Sequence, residues 1–304
     1  MSKFKSGIIL KDEVIVGDYD ICSDMLMNSS IANKVFIFAE LFPSNGDVFS
    51  SIDSWEFRVN QTILPEWYRK DTCKQRMIDA VKEWAKNRIY VGKDNLTIKS
   101  GGGYCIKDCK NVVICGDATV REICGFSDIM FIRDRVKVDE IYDNVIINEI
   151  QDEVKVGNIL DDVVIRCICD SVTVSTIMNN VNIEYISDFV KIQNIIDNVI
   201  VEHIYGRCII EVIEGNVMVN HVYDDVNIIN IFGNVSVMHI TDRVIINNIS
   251  GNVRIGYLSG YSRIERLFAN VSVGYMYDYA VIEKMSIFAE VKSIEGDAKI
   301  NCII

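Results

Sequence analysis

Three histidines are the whole imidazole supply of this 304-residue chain, and they recur at a fixed interval, His203, His221 and His239, each 18 residues from the last. The same interval carries tyrosine on both sides, with Tyr185 before them and Tyr257 and Tyr275 after. Imidazoles brought into register could hold a metal, respond to pH, or line a contact with a carbohydrate or a protein. Catalysis needs unlike groups converging, such as a histidine with a carboxylate and a nucleophile, whereas a row of like groups offers a surface. Aspartate forms a second row at the same interval, Asp134, Asp152, Asp170 and Asp188, resuming at Asp224, Asp242 and Asp278. Its carboxylates could serve turns, since Asp bonds its own main chain and tolerates left-handed backbone, or they could imitate a phosphate backbone. The ten cysteines contain no C-x-x-C pair: Cys105, Cys109, Cys115 and Cys124 have gaps of 4, 6 and 9, Cys167 and Cys169 are separated by one residue, and Cys208 replaces a valine. They read as small buried thiols, so no metal and no cofactor is expected. Gly101-Gly102-Gly103 lacks the Lys-Ser/Thr of a phosphate loop, and no HExxH, GxSxG or kinase signature occurs.

The elements that set these intervals are legible as a repeat. From Gly116 to Ile304 the chain divides without insertion or deletion into 21 units of nine residues, (D/G)-(N/x)-V-x-(V/I)-x-x-I-x, as in Asp143–Gln151, DNVIINEIQ. The fifth position is Val or Ile in all 21 units, and the eighth is Ile, Val, Leu or Met in all 21. V-x-V/I has the period of two that puts both side chains on one face of a strand, and the leading Asp, Asn or Gly supplies the turn. Such units cannot bury a core alone and must stack as a β-solenoid.

Residues one coil apart tend to be alike, so the coil length follows from the rows. Histidine and tyrosine recur every 18 residues at position seven, and at position two Asn144, Asp162, Asn180, Asn198 and Asn216 do the same, while the intervening units differ. Two units therefore make one coil with inequivalent halves, a flattened two-sheet solenoid that is mainly β. Ten or so coils at ~4.8 Å per strand make a rod on the order of 50 Å. Calcium-binding nonapeptide rolls need GGxGxDxUx, hexapeptide helices need an aliphatic residue every six, and ice-binding faces need rows of threonine; none of these patterns is present.

Residues 1–90 read as a small α/β region capping the open N-terminal end, and residues 91–304 as the solenoid, with lead-in strands over 91–115 and regular repeats over 116–304. Strands are expected near Gly7–Leu10, Glu13–Val16 and Trp55–Asn60. A helix is expected over Thr72–Asn87, with Met77, Val81, Trp84 and Ala85 as its apolar stripe and Asp71 or Thr72 as its cap. The segments Leu64-Pro65-Glu66-Trp67-Tyr68 and Ile106-Lys107-Asp108-Cys109-Lys110-Asn111, followed by these repeats, resemble uncharacterised nonapeptide-repeat proteins of gut bacteria and their phages over roughly residues 55–304. The resemblance implies a repeat architecture and a phage-related setting, and it implies no activity.

Residues 1–115 carry 16 Lys+Arg against 15 Asp+Glu, and residues 116–304 carry 15 against 28, so the net charge of -12 sits in the repeats. That surface repels phosphate backbones and anionic membranes and favours a basic protein partner. The sequence shows neither a secretory leader nor a membrane-spanning stretch, which points to a cytoplasmic protein. The expected function is a non-catalytic scaffold or protein-interaction module. The alternatives are a partial DNA mimic that inhibits a nucleic-acid-handling enzyme, and a polysaccharide-acting β-helix enzyme. Mimicry is weakened by charge density, about one net charge per 4 Å of rod against one per ~1.7 Å of duplex. An apolar last coil, with Ile300, Ile303 and Ile304 at its edge, points to a homodimer through that coil.

Overall fold

The computed structural model describes residues 5–17, 34–268 and 270–304. The chain divides into two compact units, Met1–Gly92 with Gly101–Lys107, and Lys93–Ser100 with Asp108–Ile304.

In the first unit, strands β1 (Lys5–Leu10), β2 (Val14–Val16), β3 (Phe36–Phe42) and β4 (Glu56–Val59) form an antiparallel sheet in the order β2-β1-β3-β4. The strand β3 is absent from the expectation, although its pattern carries the signal: Ile37, Ala39 and Leu41 alternate inward over FIFAELF. Trp55 and Phe57 are buried on the same core, and the Trp55 indole N–H donates to Ser50 Oγ at 3.0 Å. Helix α1 spans Lys70–Ala85 and buries Cys73, Met77, Val81 and Ala85, an i, i+4 stripe along one face, together with Ile78. It opens two residues before the expected start. Arg69 is the N-cap and makes no side-chain cap bond, which corrects the assignment of Asp71 or Thr72 as cap; Asp71 lies inside the first turn, where a carboxylate still suits the helix dipole.

Two parallel sheets form a β-solenoid of about 12 turns with ~18 residues per turn. The 21 nonapeptide units alternate between these sheets, one of 12 and one of 13 strands, so each inner strand pairs with those one coil before and after it. Ile165 pairs with Ile183, Ile183 with Val201, and Val201 with Val219, an unbroken inward row at position five. Positions three and eight are buried as well, as at Val199 and Ile204. The core is thus a double layer of β-branched side chains from facing strands, with each strand supplying period-two inward residues and position eight adding another after the outward position seven.

The corners explain the first position. Asp134, Asp143, Asp152, Asp161, Asp170 and Asn179 all adopt left-handed backbone, and Gly116, Gly125, Gly206 and Gly215 take the same region at equivalent corners. Asp and Asn are the side-chain-bearing residues that enter this region at least cost, which is why the position reads D, N or G. No helix among the described residues is long and apolar enough to cross a membrane.

Candidate functional site

Position seven points outward on the 12-stranded sheet, and parallel pairing in register brings the Tyr/His row together. Tyr185 stacks on His203 with ring centroids 5.2 Å apart, His203 on His221 at 5.0 Å and His221 on His239 at 4.9 Å. His239 stacks on Tyr257 at 4.8 Å, and Tyr257 on Tyr275 at 5.2 Å. All five pairs lie within 13° of parallel. Five of the six rings are half-buried, and Tyr275 is 49% exposed. Each ring covers the face of the next, so the row presents edges, phenol oxygens and imidazole nitrogens. Imidazoles held parallel at this spacing do not converge on one ion, because two nitrogens on a single zinc lie only about 2.0–2.1 Å from it.

The ladder has a second layer. Tyr205 and Tyr223, at position nine, stack at 5.1 Å with parallel planes. Tyr205 meets Tyr185 edge-on at 6.5 Å and Tyr223 meets His203 edge-on at 6.2 Å. A position-nine side chain therefore leans back over position seven of the preceding coil, 20 residues earlier. Tyr205 and Tyr223 stand 18 apart like the others, the interval by which this second row is marked in the sequence, although it is absent from the expected site residues.

Electrostatics favour the neutral form at two of the rings, His221 and Tyr185. Burial holds the His221 pKa below 6.5, with His239 and His203 lowering it further and Glu202 opposing them. The Tyr185 phenol is raised, first by its hydrogen bond with Glu184. His203 Nδ1 is buried without a hydrogen-bond partner. At position four, Ile200 and Met218 are exposed on the strands of His203 and His221, and Ile146 and Val164 on the strands of Glu149 and Cys167 before the ladder begins, with Asn182 between Val164 and Ile200. With Met130, Arg166, Glu184 and Glu202, the side chains of Ile146, Val164 and Ile200 line an open groove of about 710 Å³. These residues are absent from the expected site because position four carries mixed residues elsewhere and gives no periodic signal.

The chain matches no family model, no curated protein and no solved structure.

The Asp row is brought together at the corners entering the other sheet. Asp134 Oδ2 accepts the Gly116 N–H at 2.6 Å, Asp152 Oδ2 that of Asp134 at 3.0 Å, and Asp170 Oδ2 that of Asp152 at 3.3 Å. Asp188, Asp224, Asp242 and Asp278 make the same bond to the coil before at 3.2–3.5 Å. These carboxylates tie successive coils at their left-handed corners. Of the cysteines, Cys115 and Cys208 are buried, Cys302 is exposed, and Cys22 lies outside the described residues. At the last strand, Ile303 and Ile304 are 60% and 55% exposed and Ile300 is half-buried.

Proposed function

We propose that this chain is a non-catalytic scaffold that binds a protein partner along the outer face of the 12-stranded sheet. The observation that supports it best is the continuous six-ring ladder, flanked at His203 and His221 by the exposed Ile200 and Met218, a face that combines aromatic edges with aliphatic contact. Glu184 and Glu202, next to Tyr185 and His203 in the chain, and the net charge of -12, favour a basic partner. Because the rings cover one another's faces, the ladder is poorly suited to stacking against sugars. The Asp row is engaged by main-chain N–H groups at regular corners, which supports a structural role over imitation of a phosphate backbone. A cytoplasmic setting, and an association with phage or mobile elements, are further parts of this proposal; the second rests on the resemblance of residues 55–304. Pairing of two copies through the last coil completes it, supported by the exposed Ile303 and Ile304.

The test is affinity capture from a lysate of the source organism, with the partner then purified and titrated. Wild-type chain should bind it with a salt-sensitive affinity, and Ile200→Ser/Met218→Ser or Tyr257→Ser/Tyr275→Ser should weaken binding while melting cooperatively. Unchanged affinity in both variants removes this face as the binding surface, and turnover of a glycan by the purified chain removes the non-catalytic reading.

A further inference from the structure

The relation between position nine and position seven of the preceding coil has a second occupant besides the tyrosines. One end of the aromatic row continues through Cys167, the register partner of Tyr185, to Glu149, the register partner of Cys167 one strand further. Cys169 takes the leaning position, and its Sγ lies 3.8 Å from Glu149 Oε1. The two sulfurs and the carboxylate oxygen all lie within 4.8 Å of one another. Among the described residues no other trio of His, Cys, Asp or Glu converges in this way.

We propose that Glu149, Cys167 and Cys169 form a binding site for a thiophilic divalent cation, with Zn²⁺ the best fit to two sulfurs and one carboxylate. Tetrahedral zinc with bonds of about 2.3 Å to sulfur and 2.0–2.2 Å to oxygen sets its ligand atoms roughly 3.5–3.8 Å apart. The present separations reach that geometry through side-chain rotation, with the backbone held by the parallel ladder. Two thiolates select soft and borderline ions over Mg²⁺ or Ca²⁺. Local charge also favours a cation: Glu149, Asp170 and Asp188 act on the two thiols against the one guanidinium of Arg166.

Arg166 does not occupy the site. Its Nη2 lies 3.9 Å from Glu149 Oε2, the oxygen other than the one beside Cys169, and its Nε donates to Asn148 Oδ1 at 2.7 Å. It thereby orients the carboxylate with Oε1 toward the sulfurs, as outer partners do at zinc sites. A metal takes the place of the thiol protons, so uptake releases protons and strengthens with pH. Cys167 is half-buried, which leaves one side of the site open to a water or an outside ligand. Cys208 shows the contrasting case, a core thiol donating to the Tyr205 carbonyl oxygen at 3.0 Å and belonging to no such trio.

The full chain, reduced with a phosphine, is titrated with Co²⁺ and then with Zn²⁺. One equivalent of Co²⁺ should bind with thiolate-to-metal charge-transfer absorption that Zn²⁺ abolishes, and Zn²⁺ should raise the thermal midpoint. Cys167→Ser, at the half-buried position, and Cys167→Ser/Cys169→Ser should lose the absorption and the thermal shift. Glu149→Gln should weaken Co²⁺ binding by about tenfold or more, and Cys302→Ser should change nothing. No charge-transfer absorption in the wild type, its persistence in Cys167→Ser/Cys169→Ser, or its loss in Cys302→Ser would each overturn the site. A Glu149→Gln variant of unchanged affinity removes the carboxylate as the third ligand.

Discussion

Val201 is fully buried between Ile183 and Val219, in a row where every neighbour is a β-branched hydrocarbon. An aspartate there has no cation within the core, so Val201→Asp is expected to cost on the order of several kcal/mol. Val201→Ile adds one methylene to a close-packed row and is expected to cost about 1 kcal/mol or somewhat more. Thermal melts of the two variants separate burial of charge from overpacking. A second residue-scale expectation concerns pH. The folded chain holds His221 below its unfolded value of 6.5, so over that interval the unfolded state binds more protons. The stability this neutral imidazole contributes is complete above pH 6.5 and is lost as pH falls through the folded pKa. The flanking His203 and His239 repel its proton and Glu202 attracts it, and burial is the largest cause. Replacing it by tyrosine, which the row accepts at Tyr185 and Tyr257, should preserve the stack and flatten the acid side of the stability profile. An NMR titration that finds the His221 pKa at or above 6.5 would remove this expectation. The Tyr/His row itself was legible because identical types recur every 18 residues. The metal-type trio was not, since Glu149 lies 18 and 20 residues from its cysteines and only the backward lean of position nine brings Cys169 to it.

The corner is the element on which the solenoid depends. Asp152 holds left-handed backbone at φ 65°, accepts the Asp134 N–H, and donates its own N–H to Asp170 Oδ2. Asp152→Ala removes the acceptor and puts an ordinary side chain where the left-handed region costs about 1–2 kcal/mol, and equilibrium unfolding in urea should show a loss of about 2 kcal/mol. Asp152→Asn keeps an oxygen acceptor and a tolerance of that backbone, and should lose less than half as much. Equal losses in the two variants would mean that the carboxylate charge, not the corner geometry, carries the stabilisation. The D, N or G signal at these corners was legible because a single conformational demand repeats at every coil. Helix α1 was legible by its apolar spacing but not by its start, because its N-terminus is held by packing of Cys73 and Met77 and makes no cap bond that a sequence would mark. Strand β3 carries a clear period of two, and its seven residues are fixed by pairing with β1 and β4, partners that lie far from it in sequence.

At the scale of the whole molecule, parallel stacking leaves an edge wherever the coils stop being paired. The strand Lys299–Ile303 pairs on one side with Val281–Met285, and among the described residues nothing pairs with its other side. Beside it Ile287, Phe288, Ile294, Ile303 and Ile304 are exposed, so unpaired main chain and apolar surface coincide there. Soluble proteins blunt such edges with charge, proline, a bulge or a covering element. Lys299 is the one charged residue in this strand, too little to blunt it. Edge-to-edge contact with a second copy would satisfy the N–H and C=O groups and bury the isoleucines together. A two-fold axis makes that contact close on itself, so it yields a dimer instead of a fibre. If two copies pair through this coil, as proposed, light scattering on the purified chain reports a dimer at micromolar concentration, and Ile303→Lys shifts it toward monomer without lowering the thermal midpoint of the monomeric state. A monomer throughout the accessible concentration range, or a dimer that Ile303→Lys leaves intact, would exclude pairing at this edge.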